Sequence, residues 1–286
     1  MQKSLKIKDR YELPITTSSS QAATYYVDGL DLFLSQNYGS EERFEKATAT
    51  DERFAIAYGA LAILHMYGGR LEEAKDTIKQ ARFLSAGVSR REQQQIDAIT
   101  HIIEGEGRRA LAIIQEHLSE FPRDALMLRL AQRLFVLGCS GAGVKNYPAE
   151  LFALLKSLAS AYGDDWAFLG SYSFAHHETG LLTDAFHLAE RSLQTRPTNA
   201  IASHSIAHVF FERGDHSGGA DFLGHWIQSY DSREPYHVHL SWHVALFALA
   251  MGHYKEAVNI YETNIRPSVV LKSPISLSDS ASLMWR

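Results

Sequence analysis

Two histidine pairs in the C-terminal half have a spacing suited to chemistry. His204 and His208 lie in "SHSIAHVFFERG"; His239 and His243 lie in "HLSWHVALFALAMG". Residues four apart share one face of a helix, so each pair aims two imidazoles the same way. Imidazole exchanges protons near neutral pH, and its unprotonated nitrogen ligates first-row metals. Trp242 stands beside the second pair, and His177 and Glu178 are adjacent in "HHETG". Of fourteen histidines in the chain, eleven fall between His176 and His253, a concentration that a solvated polar face does not require.

These residues need helices held in a fixed register. Three segments, starting at Trp166, Ala200 and Val238, share one grammar: an apolar helix, a glycine, a short turn and a second helix. The turn glycines are Gly180, Gly214 and Gly252, and five residues later come the small residues Ala185, Gly219 and Ala257. Glycine ends the first helix at positive φ, and the small residue lets two antiparallel helices pack closely. Pro197 and Pro267 are expected to close their second helices. Earlier units follow more loosely, with Gly69 and Ala74, then Gly107, Ala112 and Pro122. "QAATYYVDGLDLFLSQ" and "SEERFEKATATDERF" read as a first pair. "DALMLRLAQRLFVLG" and "PAELFALLKSLASAYG" read as another, joined by the Gly-rich "GCSGAGVKNY".

This pattern resembles the tetratricopeptide repeat, whose period is near 34 residues. The fold expected is all-α: a right-handed superhelix of tetratricopeptide-like helix pairs, an α-solenoid. About seven pairs are expected, with a short terminal helix from about Ser278 capped by Asp279 or Ser278. More narrowly, "RREQQQIDAI", "FPRDALMLRLAQ", "SHSIAHVFFERG", "HLSWHVALFALAMG" and "DSASLMWR" resemble the tetratricopeptide repeat protein 38 family. The resemblance implies a helical repeat fold and picks out His204 with His208, His239 with Trp242 and His243, and Asp279, Ser282, Trp285 and Arg286. Members of that family continue beyond the Trp-Arg pair, whereas this sequence stops at Arg286. Apolar surface exposed at that end would favour a homodimer. The family brings no assigned activity with it.

In a tetratricopeptide architecture the first helix of each pair lines a concave groove. The register set by the turn glycines puts His177, Glu178, His204, His208, His239 and Trp242 on that face, with His243 one turn beyond His239. Neighbouring helices pack about 8–10 Å apart, so imidazoles from adjacent repeats can converge. His237 reads as part of the preceding loop. Asp279, if the last helix folds back, could orient a groove histidine.

Three readings stay open. In the first the histidines are structural, bonded to carbonyls or carboxylates that knit the repeats together. In the second the groove binds a peptide or small ligand through His177, Glu178, His204, His208, His239, Trp242, His243 and Asp279, with Trp242 as apolar anchor. In the third His204, His208 and His243 act as acid–base catalysts, or His204, His208 and His239 hold a divalent metal such as zinc or iron. No HExxH, GxSxG elbow or phosphate loop is present.

The 286 residues carry a net charge of −5 and a hydrophobic fraction of 45%. That excludes the basic footprint of nucleic-acid binding and argues against wholesale disorder. One cysteine, Cys139, rules out an internal disulfide. "MQKSLKIKDRYELPITTSSS" lacks the apolar run of a signal peptide, and no window has the length of a membrane span. The expectation is a cytoplasmic protein with a peptide, protein or small-molecule ligand and no nucleic-acid or membrane partner. Residues 1–18 read as an extended N-terminal segment, with "KIKDRYE" a mixed-charge tail. Residues 19–286 read as one repeat domain, with the His-rich groove in 165–286.

Overall fold

A computed structural model describes residues 7–136, 142–270 and 274–286. Cys139 and part of the Gly-rich connection lie outside them. The described residues contain helices and turns, with a single isolated β-bridge between Lys8 and Pro14. They divide into two compact units, 1–34 with 39–163, and 35–38 with 164–286.

The first unit holds α1 (Ser20–Ser35), α2 (Ser40–Thr50), α3 (Ala55–Tyr67), α4 (Leu71–Leu84), α5 (Arg90–Ile103), α6 (Gly107–Glu120), α7 (Ala125–Val136) and α8 (Tyr147–Tyr162). Successive helices pack as hairpins: α3 on α4, α5 on α6 and α7 on α8. The α5–α6 hairpin corrects the sequence reading of its turn. Gly105 carries the positive φ of 79°, and Gly107 opens α6. The small residue at the crossing is therefore Ala110, fully buried, whereas Ala112 is exposed. Either glycine of "EGEG" can end a helix, and only burial of the following face chooses between them.

The N-terminal tail is also more than a tail. Tyr11 is buried, and the Asp9 carboxylate accepts from the backbone N–H of Tyr11 and of Leu13 at 2.9 and 3.0 Å. Arg91 donates to the Pro14 carbonyl at 2.9 Å, and Glu92 accepts from Thr16 at its N–H and hydroxyl. Glu92 also closes a capping box with Ser89 at the start of α5. Thus "RREQ" both begins a helix and pins the arm.

The second unit holds α9 (Trp166–Glu178), α10 (Leu182–Thr195), α11 (Ala200–Glu212), α12 (His216–Trp226), α13 (Tyr236–Ala250), α14 (Tyr254–Ile260), α15 (Arg266–Val270) and α16 (Pro274–Trp285). Gly180, Gly214 and Gly252 all take positive φ at their turns. At Gly214 the N–H bonds the Phe211 carbonyl and the Asp215 N–H bonds that of Phe210, ending α11. Gly219 serves close packing instead: an added Cβ would run into the Phe247 ring, which is fully buried between α12 and α13.

Two boundaries differ from expectation. Pro267 does not end its helix. The five-residue π-helical turn Tyr261–Ile265 precedes α15, and its wider hydrogen-bond spacing accommodates the N–H that Pro267 lacks. The terminal helix begins at Pro274, so Asp279 sits mid-helix and is not a cap. In the first unit α3 lies beside α5. In the second, α9 packs on α11, α11 on α13, and α13 on α16, and these four carry the candidate residues.

Candidate functional site

Side-chain caps fix the helices that present the site. Asp165 caps α9 by accepting from the Phe168 N–H at 2.9 Å. Asn199 caps α11 through Ile201 N–H, while its amide reaches back to the Trp166 carbonyl and the Ser192 hydroxyl. The register of α11 against α9 is thereby set by a buried polar clasp. Helix α13 is apolar around most of its circumference because α11, α12, α14 and α16 all surround it.

Four imidazoles meet between α11 and α13. His204 Nε2 lies 2.9 Å from His208 Nε2, 3.0 Å from His239 Nε2 and 3.0 Å from His243 Nε2. His204 and His243 are buried; His208 and His239 keep partial exposure. From α16, Asp279 Oδ2 accepts from His239 Nδ1 at 3.0 Å. That contact fixes the tautomer of His239, leaving its Nε2 lone pair directed into the cluster. Trp242 stacks on His239 with centroids 5.4 Å apart and meets the edge of His243 at 4.7 Å. Its indole N–H is buried without a hydrogen-bond partner.

On the other side, the His177 ring lies 4.4 Å from that of His208. Glu178 Oε1 approaches His177 Nδ1 at 3.2 Å, without the alignment of a hydrogen bond. Ligand atoms of His204, His208 and His243 all fall within 4.8 Å of one another, and so do those of His177, Glu178 and His208. His208 therefore belongs to two candidate metal-binding triads.

Burial favours the neutral form of His204, His208 and His243. It drives His204 and His243 well below the ordinary imidazole value, and neighbouring imidazoles add to the shift. His208 is lowered to about 3 by burial, then by His177 and His239, with Glu178 opposing. Neutral imidazoles offer lone pairs, so the arrangement suits ligation better than anion binding by charge.

The eight residues read as a ligand-binding set converge here: His177, Glu178, His204, His208, His239, Trp242, His243 and Asp279, whereas Trp285 and Arg286 are exposed at the end of α16, Arg286 bonding Ser282. His237 differs from expectation: it belongs to the first turn of α13, half-buried, stacked on Tyr230. Two wall residues were missed. Phe174 stacks on His204 at 5.6 Å, and Tyr236 lies 5.5 Å from His204 and 5.4 Å from His239. Their signal was present, since Phe174 precedes His177 by three positions and Tyr236 precedes His239 by three. A third candidate group, His101 with Glu104 and Glu106, lies on α5 and its following turn in the first unit and is largely exposed.

No family model matches the chain. Among solved structures it resembles the APC/C hetero-tetramer Cut9–Hcn1, with 15% identity and a TM-score of 0.52, over 88% of this chain and 47% of that one. It also resembles yeast Tom70, with 11% identity and a TM-score of 0.50, over 97% of this chain and 67% of that one. PilW, a type IV pilus biogenesis factor, aligns at 14% identity over 93% of this chain and 100% of that one, with a TM-score of 0.40. This chain thus spans about half the length of the Cut9–Hcn1 chain it matches. At these identities the likeness concerns fold alone: the described residues form an all-α solenoid of helix pairs. Among the described residues no helix is long and apolar enough to cross a membrane.

Proposed function

We propose that the protein is a tetratricopeptide-type scaffold that binds a peptide or small ligand at the His-, Trp- and Glu-lined site of its second unit. One observation carries this reading: the buried indole N–H of Trp242 has no acceptor beside a partly open imidazole cluster. A buried donor left unpaired costs about 1–3 kcal/mol, which a ligand carbonyl or carboxylate would remove. A solved structure of the same fold is a hetero-tetramer, which supports a protein as the source of such a ligand. The resemblance to the tetratricopeptide repeat protein 38 family, a cytoplasmic setting and a homodimer belong to the same proposal. A second reading, acid–base or metal-assisted chemistry, is favoured by the way His208 lies against both His177 and His204.

The test is a thermal-shift and fluorescence screen against peptides and small carboxylates in the presence of chelator. Binding is expected to raise the melting temperature, with the gain lost in Trp242→Phe, which keeps the ring and removes the donor. A hit that survives Trp242→Phe with undiminished affinity counts against the site.

A further inference from the structure

The protonation arithmetic of His204 does not close. A ring nitrogen carries either one proton or one lone pair, aimed along one direction in the ring plane. His204 Nε2 nevertheless has three other Nε2 atoms at 2.9–3.0 Å. One of these contacts can be a hydrogen bond. The other two bring electronegative nitrogens together at a distance that no shared proton supports. Burial makes relief by protonation costly, since a charged imidazole here would face other imidazoles in a low-dielectric setting.

A cation at the centre resolves this. Tetrahedral zinc–imidazole bonds of about 2.0–2.1 Å separate ligand nitrogens by about 3.3 Å. The three separations from His204 are a few tenths of an ångström shorter, and His204, His208 and His243 lie within 4.8 Å of one another; rotation about side-chain torsions would seat an ion among these three, with His239 turning in from beside His204 as the fourth ligand. We propose that His204, His208, His239 and His243 form a binding site for one divalent first-row transition ion of the zinc class, ligated through their Nε2 atoms. The inference deepens the ligand-binding reading of this site.

Three features set the chemistry. All four donors are imidazole nitrogens, which suit zinc, copper, nickel or iron and not magnesium or calcium, which take oxygen ligands. The Asp279 carboxylate holds His239 Nδ1 at 3.0 Å, the carboxylate–histidine relay that orients metal ligands and raises their basicity. It also places a negative charge one shell out, where it compensates an ion surrounded by neutral ligands. Finally, His208 and His239 are partly exposed while His204 and His243 are buried, which gives an ion a way in and two anchored ligands to meet.

The full chain, stripped with chelator and shown helical by circular dichroism, would be titrated with zinc by calorimetry and with cobalt(II) by visible absorption. Expected are one equivalent of zinc, a raised melting temperature and the intense cobalt d–d bands of four-coordination. Magnesium should produce none of these. His208→Gln and His239→Gln, at the partly exposed positions, should weaken zinc at least tenfold while remaining folded. Asp279→Asn should weaken it about 10- to 100-fold, and His101→Gln, at the rival group, should not change it. A folded chain with no zinc heat and no cobalt band overturns the proposal, as does equal response to magnesium or loss of binding in His101→Gln alone. Zinc uptake without any peptide binding sinks the scaffold reading and leaves this one standing. Peptide binding by a chain that takes no zinc does the reverse.

Discussion

In the first unit, Asp124 Oδ2 accepts from Arg91 at 2.7 Å, Gln95 at 2.6 Å and His117 at 3.0 Å, all side chains being buried. In the second unit, His204 Nε2 faces three imidazole nitrogens at nearly the same distances. The first cluster joins an anion to its donors. The second crowds like groups together, and its carboxylates, Asp279 and Glu178, touch only the rim, at His239 and His177. Both are buried polar networks on packed helices, yet the first sets a carboxylate among its donors, with Arg91 Nε and Gln95 Oε1 left unpartnered, and the second sets ring nitrogens against one another. Burial alone does not distinguish a structural network from a site; the match of donors to acceptors does.

The largest effect should come from breaking the Asp124 cluster. Asp124→Ala strands the Arg91 guanidinium, only 4% exposed, and removes the acceptor of His117. Deleting one partner of a buried ion pair costs about 3–5 kcal/mol. Because Arg91 also holds the Pro14 carbonyl, the N-terminal arm should loosen as well. Denaturant melts read the stability and limited proteolysis reads the arm; a loss under 1 kcal/mol would erase the contrast between the units.

Filling the imidazole cluster should act in the opposite direction. Zinc at about one hundred times its dissociation constant stabilises a folded protein by about 2.7 kcal/mol. Amide exchange should slow along α11 and α13, whereas α5 and α6 gain nothing directly. Uniform slowing in both units would mean that the ion is not bound where the imidazoles meet.

How much of this contrast was legible in the sequence differs between the two regions. The histidine pairs were readable because spacing of four on a helix is a local rule, and the glycine register carried it from one repeat to the next. The Asp124 cluster was not. Arg91, Gln95, His117 and Asp124 come from α5, α6 and the turn before α7, and no spacing rule links them. Pro14 and Thr16 read as parts of an extended segment because their partners on α5 lie 77 and 76 residues away in sequence. The Gly105 turn and the run through Pro267 were misjudged for a related reason: local signals offered two acceptable answers, and packing selected one.

The two units should also differ in acid. Asp124 is held at about 2, against desolvation, chiefly by Arg91 and then by His117. Its folded value lies below the ordinary 3.8. Its stabilisation is therefore complete above about pH 4 and lost as pH falls through 2, on the order of 2 kcal/mol. Asp9 has the opposite sign. Burial raises it to about 6, with Asp124 adding and Arg91 and the Tyr11 and Leu13 amides opposing. The stabilisation that accompanies its neutral form is complete below about 3.8 and lost as pH rises through 6. From pH 7 to pH 5 the arm should dock more firmly by about 1 kcal/mol, read from intrinsic-rate-corrected exchange at Tyr11 and Leu13. A Asp9→Asn chain should show no such gain.

The smallest effect, and the one that sharpens the comparison most, belongs to His208. In chelator, His208→Ala and His243→Ala should each change stability by only about 1 kcal/mol. Removing one nitrogen from a cluster with too many relieves a close approach to His204 while forfeiting packing, and the two partly cancel. His243 is the harder case, being 3% exposed, so its cavity adds to the cost. If the imidazoles instead form a closed hydrogen-bonded network, each truncation strands a partner and costs about 1–3 kcal/mol. The same variants would then melt alike with and without zinc. The double variant separates the cases further. Relief of crowding makes the second truncation cost more than the first, because His204 already has room. A network already broken by the first makes the second cost less. Denaturant melts of the two single variants and the double one give the sign of that coupling directly.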